Sequence, residues 1–271
     1  MTFSTDLRTE LNARAQRYAQ NHSFRSYQSL GHPPTILFSS DSEHQFHANF
    51  LPATYRAILA DPQWAVRLTK PHQRKKALPP ERRDRACELD SCTSSDALLM
   101  NIFCHPDFCP SNSPMFPGTS GLRPEFGAPG NVQLTSGASD ITEIDLRIGG
   151  ILCEAKLCEA DFTQAPASRL RTYAAFSELF DDAALPRAKS DYDCYQLLRN
   201  VMAAAQHDCS FRLLIDRRRA DLLDFWKRIS AAIRHPIVKE RCAVVFWQEL
   251  AAFAPPDLRG FLSEKYGIED V

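Results

Sequence analysis

The stretch Ile141-Thr-Glu-Ile-Asp-Leu-Arg-Ile-Gly-Gly-Ile-Leu-Cys-Glu-Ala-Lys-Leu157 predicts a β-hairpin. Gly149-Gly150 lies between two runs that are rich in apolar residues, 142–147 and 151–157. Two-residue hairpin turns favour glycine because their central residues adopt positive φ. We therefore expect two antiparallel strands joined directly by this diglycine.

The tight turn determines which residues of the two strands face each other. Asp145 is expected directly opposite Glu154, and Glu143 directly opposite Lys156. Because side chains alternate between the two faces of a strand, one face of the hairpin is polar and the other is apolar. The polar face is predicted to carry Glu143, Asp145, Arg147, Leu152, Glu154 and Lys156.

Two opposed carboxylates constrain the chemistry of this face. Opposed Cβ atoms are about 4.5–5.5 Å apart, a distance at which like charges repel. Asp145 and Glu154 therefore share a proton, neutralise a neighbouring cation or bind a metal ion. Carboxylate oxygens suit Mg²⁺ or Mn²⁺ better than zinc, and Lys156 can stabilise negative charge on a phosphate. The alternative is a solvated hairpin face on which Glu143 pairs with Lys156.

The hairpin resembles the PD-(D/E)XK nuclease superfamily, which has the restriction-endonuclease-like fold. The resemblance rests on Thr142-Glu-Ile-Asp145 followed by Glu154-Ala-Lys156, and it extends over residues 94–247. It implies that Asp145 and Glu154 bind Mg²⁺, with Mn²⁺ as a substitute, and that the carbonyl group of Ala155 completes the metal shell. It also implies that Lys156 is the catalytic lysine.

The same resemblance implies further site residues. Many members supply another acidic metal ligand, for which Glu125 is the first candidate, Glu88 the second and Asp96 the third. Many members also place a glutamine on the helix after the lysine strand. Gln196 fits this position, and Arg199 lies on the same helical face at i+3. The alternative for Gln196 and Arg199 is the exposed polar face of an amphipathic helix.

The pattern along the chain predicts an α/β fold. We expect a restriction-endonuclease-like αβββαβ core, a mixed sheet flanked by helices, with an N-terminal helical extension. The predicted domains are 1–85, comprising this extension and a basic linker, and 86–271, with one compact unit as the alternative. The predicted strands are 142–147, 151–157, 211–215 and 242–247, and the predicted helices of the core are 94–104, 193–206 and 220–233. Residues 106–130 are expected to form a loop.

Two basic segments are candidates for contacting nucleic acid. Residues 70–85 carry a local excess of basic residues, including Lys75 and Lys76, and their prolines predict an exposed linker. Arg217 and Arg218 follow the predicted strand 211–215. These four side chains, together with Arg199, would bind phosphate groups in a salt-sensitive manner if DNA is the substrate. For each basic residue taken alone, a solvated surface is the alternative.

Composition excludes several protein classes. The chain has 271 residues, with Lys+Arg 32 against Asp+Glu 33, so it is not a wholly basic nucleic-acid coat protein. No apolar run approaches the roughly 20 residues that span a bilayer, and the first residues do not form a secretory signal, so we expect a cytoplasmic protein without a membrane partner. The 9 cysteines are expected to be reduced thiols. The alternative is a zinc site formed by Cys87, Cys92, Cys104 and Cys109, with His105 adjacent.

These observations predict a Mg²⁺-dependent nuclease that hydrolyses phosphodiester bonds, with DNA as the expected substrate. Cutting of both strands would favour a homodimer. The alternative function is a catalytically silent module of the same fold that binds nucleic acid or protein.

Overall fold

The computed structural model describes residues 2–31, 33–39, 45–72, 75–189 and 191–269. The chain forms two compact units, of which one comprises Met1–Gly121 with Trp247–Val271 and the other comprises Leu122–Phe246. The division at residue 85 that the sequence suggested stays a prediction.

The second unit is built on a five-stranded mixed sheet. Its strands lie in the order β12 (Cys242–Phe246), β11 (Ser210–Ile215), β7 (Ile151–Ala155), β6 (Glu143–Ile148) and β3 (Glu125–Pro129). Of these, β7, β11 and β12 are parallel, whereas β3, β6 and β7 are antiparallel. The α/β class and the mixed sheet flanked by helices are therefore confirmed. The strands of the chain are β1 (Ser26–Gln28), β2 (Ile36–Phe38), β3 (Glu125–Pro129), β4 (Val132–Gln133), β5 (Ser139–Asp140), β6 (Glu143–Ile148), β7 (Ile151–Ala155), β8 (Ala165–Pro166), β9 (Arg187–Ala188), β10 (Asp191–Tyr192), β11 (Ser210–Ile215) and β12 (Cys242–Phe246).

The helices confirm the predicted element order. They are α1 (Phe3–Asn21), α2 (Pro52–Ala60), α3 (Pro62–Ala65), α4 (Ser95–Phe103), α5 (Ala167–Leu170), α6 (Phe176–Leu179), α7 (Tyr195–Gln206), α8 (Ala220–Ala232), α9 (Pro236–Glu240), α10 (Trp247–Ala252) and α11 (Pro256–Tyr266). Along the chain, α4, β3, β6, β7, α7 and β11 occur in the expected αβββαβ order, with shorter elements between some of them. The loop predicted for 106–130 is corrected, because its last part forms β3 and pairs with β6.

The diglycine turn holds the hairpin in the predicted register. Gly149 has a φ of 54°, and glycine at the first central position with positive φ is typical of a type II′ turn. Ile148 pairs with Ile151 and Leu146 pairs with Cys153, as the turn requires. A Cβ atom on Gly149 would also lie only 2.6 Å from Leu122 Cδ1.

One face of the sheet is covered by α7 and α8. Leu197 and Val201 of α7 are fully buried in the same apolar cluster as Leu152 of β7 and Leu213 of β11. Burial of each such side chain contributes about 1.5–3 kcal/mol. This packing holds α7 against β7 and β11, and it thereby determines which α7 side chains face the end of the hairpin.

Most described residues of the basic segment 70–85 are exposed or half-buried, and its role as a linker stays a prediction. Leu78 is fully buried in a cluster with Leu37 and Ala86, so the segment packs onto its own unit. Lys75 and Lys76 remain exposed within a short 3₁₀ turn. Arg74 lies outside the described residues.

The structure gives observations on the cysteines and on membrane-spanning helices. All nine cysteines are free, and among the described residues no three histidine, cysteine or acidic side chains gather around a possible metal position. The zinc alternative is therefore not supported. None of the helices in the described ranges has the length and apolar character that a bilayer crossing requires.

The first unit contains a fully buried lysine. Lys265 Nζ donates to the backbone carbonyl group of Asn49 at 2.7 Å and also to the Asn49 side chain. Burial lowers the pKa of Lys265 well below its usual value, although Cys92 acts in the opposite direction. The aromatic rings around Nζ, at 4.9–5.9 Å, are those of Tyr18, Phe38, Phe261 and Tyr266.

We expect Lys265 to make stability depend on pH. Its pKa is lower in the folded state, so the unfolded state binds more protons and the free energy of unfolding rises with pH up to the ordinary lysine pKa of about 10.4. Urea unfolding of the wild type and of Lys265→Met should show the wild type gaining stability relative to the variant from pH 7 towards pH 9. A difference that stays constant over this range would contradict the expectation.

Candidate active site

The two hairpin strands separate at the predicted site. Their paired residues run from the turn to Leu146 and Cys153 and end there. Beyond this point the Ala155 N–H group donates to Asp145 Oδ2 at 2.8 Å. The carboxylate of Asp145 therefore reaches across the space where the strands diverge. In a regular strand the carbonyl group of a residue lies on the same side as its N–H group, which for Ala155 is the side of β6.

Glu154 is fully buried, because β7 lies between two strands and under α7. Its two carboxylate oxygens have different partners. Asn200 Nδ2 donates to Oε2 at 2.5 Å, whereas Oε1 lies 2.8 Å from Lys156 Nζ. Oε1 accepts no directional hydrogen bond from the described residues, so its contact with Nζ is that of an ion pair. A buried carboxylate of this kind requires compensation by charge and hydrogen bonds.

Lys156 is also buried, with only 6% of its surface exposed. Its Nζ donates to Gln196 Oε1 at 2.9 Å in addition to contacting Glu154. Burial acts to lower the pKa of Lys156, but the negative charges of Glu154, Glu159 and Asp145 outweigh it, and the pKa is raised. The structure thus brings Asp145, Glu154, Lys156 and Gln196 together. The alternative of a solvated hairpin face is not supported, because it requires an exposed Lys156.

Helix α7 supplies one site residue that the sequence analysis missed. Asn200 lies four residues after Gln196, so both side chains face β7. This i, i+4 spacing is the signal that identifies Asn200 once Gln196 is placed at the site.

Arg199 does not occupy the role expected from the sequence. It was predicted to contact nucleic acid, but it is 3% exposed. Its guanidinium group donates to the Glu143 carbonyl oxygen at 2.9 Å and to Asn200 Oδ1 at 2.8 and 3.1 Å. The burial follows from the packing of α7 on the sheet, which covers this face of the helix.

No third acidic ligand joins Asp145 and Glu154 within the described residues. Glu125 is exposed on β3, where it pairs with Arg147 near the turn rather than with the site end of β6. Glu88 and Asp96 belong to the other unit, in which they pair with Lys70 at 3.1 Å and Arg67 at 2.9 Å, respectively. The role of Glu125 as a metal ligand therefore stays a prediction.

The remaining basic candidates for nucleic-acid contact differ in their exposure and in the groups that they contact. Arg217 is exposed, with its guanidinium group 5.3 Å from the centre of the Phe246 ring. Arg218 forms a bidentate pair with Asp216, at 2.8 and 2.6 Å. Lys75 is exposed, and its Nζ lies 3.9 Å from Asp84 Oδ1. Arg217 therefore has the more accessible guanidinium group of the two arginines.

The candidate metal ligands at the point where β6 and β7 separate are chemically suited to a hard divalent cation. They are the carboxylates of Asp145 and Glu154 and the carbonyl group of Ala155, all of them oxygen ligands. The buried Glu154 Oε1, which accepts no directional hydrogen bond within the described ranges, is the atom that a cation would best satisfy. Mg²⁺ typically uses one or two carboxylates and completes its shell with water and substrate phosphates.

A family model described as Restriction Endonuclease associating with ARP matches residues 13–267. The chain belongs to this family. The match includes the hairpin and α7, so the polar cluster between β7 and α7 lies in a restriction-endonuclease-like module. No curated protein and no solved structure matches this member of the family.

Removing only one of the two charges of the Glu154–Lys156 pair should lower the stability of the protein. Glu154→Gln preserves the shape of the side chain but leaves a buried ammonium group without its closest charge partner. We expect the free energy of unfolding to fall by about 3 kcal/mol, and the double variant Glu154→Gln/Lys156→Met to recover most of this loss. Urea denaturation of the two single variants and the double variant measures the coupling. A double variant as unstable as Glu154→Gln would contradict the prediction.

Proposed function

We propose that this protein is a Mg²⁺-dependent nuclease that hydrolyses phosphodiester bonds in DNA. The observation that carries the proposal is the buried Glu154–Lys156 pair beside Asp145, at the point where β6 and β7 separate. A buried ion pair adds little stability compared with apolar residues of similar size, which favours a chemical role for this one. Membership in the restriction-endonuclease family supports the same reaction class.

Three groups of this chain would hold the metal ion. They are the carboxylates of Asp145 and Glu154 and the backbone carbonyl group of Ala155. When bound, Mg²⁺ supplies Lewis acidity towards a phosphate oxygen and lowers the pKa of a water molecule. We expect Mn²⁺ to substitute, because it prefers the same oxygen ligands.

Lys156 and Gln196 act on the reacting groups. An ammonium group carries three donors and no acceptor, so Lys156 can orient the attacking water molecule and stabilise charge on the phosphate. Gln196 accepts from Nζ at 2.9 Å, which holds the lysine in place over β7. This arrangement limits the reorganisation that the site needs during the reaction.

A catalytically silent binding module of the same fold is the second candidate. It is favoured by the protein groups that already contact both carboxylates, namely the Ala155 N–H group on Asp145 and Asn200 with Lys156 on Glu154. The family description adds an association with ARP, which makes a protein partner a further proposal for this chain. A homodimer is likewise a proposal, and light scattering of the purified protein measures it.

The nuclease proposal predicts metal-dependent cleavage of plasmid DNA. Chelation with EDTA should abolish cleavage, and Asp145→Asn, Glu154→Gln and Lys156→Met should each lower the rate by at least about 100-fold. Glu178→Gln, which changes an exposed carboxylate of the same unit, is the matched control and should cleave at the wild-type rate. DNA binding without cleavage in the wild type would favour the silent module instead.

Binding of DNA should depend on Arg217 more than on Arg218. Replacing an arginine that contacts a phosphate lowers the slope of log affinity against log salt by about 1. We expect this change for Arg217→Ala. Arg218→Ala should mainly lower stability, because Asp216, which is fully buried, loses its bidentate partner. Fluorescence anisotropy over a salt series, with thermal melts of both variants, distinguishes the effects.

A further inference from the structure

We propose that Asn200, held by Arg199, is a positioning residue that occupies Glu154 Oε2 and thereby assigns Oε1 to the divalent cation. The inference rests on the proposed function, and it goes beyond it by naming the oxygen of Glu154 that serves as the ligand. It starts from the unequal partners of the two Glu154 oxygens, an amide on Oε2 and an ammonium group on Oε1.

The orientation of the Asn200 amide is determined by its neighbours. A guanidinium group has only donors, so the amide atom that faces Arg199 must be the oxygen. Arg199 donates to Asn200 Oδ1 from Nε at 3.1 Å and from Nη2 at 2.8 Å. The NH₂ group then points to Glu154 and donates to Oε2 at 2.5 Å. If the Asn200 amide were flipped, its NH₂ group would face the Arg199 guanidinium group, which has only donors. Its oxygen would then face the Glu154 carboxylate, which has only acceptors.

Arg199 is itself anchored to the neighbouring strand. Its Nη2 also donates to the Glu143 carbonyl oxygen at 2.9 Å. The hydrogen bonds therefore run from β6 through Arg199 and Asn200 to Glu154 on β7. They cross the region in which the backbone ladder between β6 and β7 has ended. Side-chain hydrogen bonds therefore hold these four residues in place where the backbone hydrogen bonds between β6 and β7 have ended.

Oε1 is the oxygen that remains for a cation. It is fully buried, it accepts no directional hydrogen bond from the described part of the chain, and its contact is the ion pair with Lys156 at 2.8 Å. The Asp145 carboxylate accepts from the N–H group of Ala155, the residue after Glu154, so it lies near this part of β7. With Oε2 occupied by Asn200, Glu154 presents one oxygen beside Asp145. Residues that orient a ligand in this way typically affect metal affinity by 10- to 100-fold.

The test measures binding of MnCl₂ to the full chain by isothermal titration, without DNA. Asn200→Leu keeps a similar volume but removes the donor to Oε2, and we expect it to weaken Mn²⁺ binding by about 10- to 100-fold. The Mg²⁺ concentration for half-maximal cleavage should rise by a similar factor, while the rate at saturating Mg²⁺ changes much less. A purely structural role of Asn200 would not change the Mg²⁺ requirement more than the rate at saturating Mg²⁺.

Asn101→Leu is the matched control. Asn101 is another fully buried amide, which donates to the carbonyl oxygens of Asn49 at 3.0 Å and Ala97 at 2.8 Å, and it belongs to the other compact unit. This variant should lower the melting temperature but leave the affinity for Mn²⁺ unchanged. If Asn200→Leu does not fold, Arg199→Lys is used in its place. Lysine lacks the planar guanidinium group whose two N–H donors orient the Asn200 amide. We expect Arg199→Lys to weaken Mn²⁺ binding several-fold.

The outcomes separate this inference from the proposed function. Wild-type Mn²⁺ affinity in Asn200→Leu, or in Arg199→Lys where that variant replaces it, would overturn the positioning role and leave the nuclease proposal intact. A wild-type protein that binds no Mn²⁺ would overturn both. Weakened binding in the variant with unchanged binding in Asn101→Leu supports the assignment of Oε1.

Discussion

Two opposite charges held out of water between β7 and α7 impose the main constraint on this protein. Glu154 and Lys156 lie 2.8 Å apart in the interior, where each would be strongly destabilising alone. The polar groups around them follow from this requirement, since Gln196 accepts from the lysine and Asn200 donates to the glutamate. The pair is thus the centre of a small polar cluster inside an otherwise apolar layer.

The sheet creates the space for this cluster by changing its pairing. Near the turn, β6 and β7 form a regular antiparallel ladder, while β7 continues its parallel pairing with β11 up to Ala155. At the open end, side chains replace the ladder, with Asp145 bound to the Ala155 N–H group and Arg199 bound to the Glu143 carbonyl group. Asp145 and Glu154 thus lie on neighbouring strands at the point where the backbone ladder between those strands ends.

Local chemistry made the hairpin and its register predictable from the sequence. Gly149-Gly150 requires a tight turn, and the alternation of residues then places Asp145 and Glu154 at the same level of the sheet. The strand β3 was not predictable in this way, because its Gly- and Pro-containing sequence is stabilised by pairing with β6. The burial of Arg199 depends on α7 packing, and the position of Glu125 depends on the β3 register. Both are tertiary effects that the residue types do not encode locally.

We propose that Asp145 and Glu154 bind a divalent cation where β6 and β7 separate. The most direct measurement is the anomalous difference density of a crystal soaked in MnCl₂. We expect a peak between the two carboxylates, within ligand distance of Glu154 Oε1. A peak only at other positions, or no peak while the site is accessible in the crystal, would contradict it.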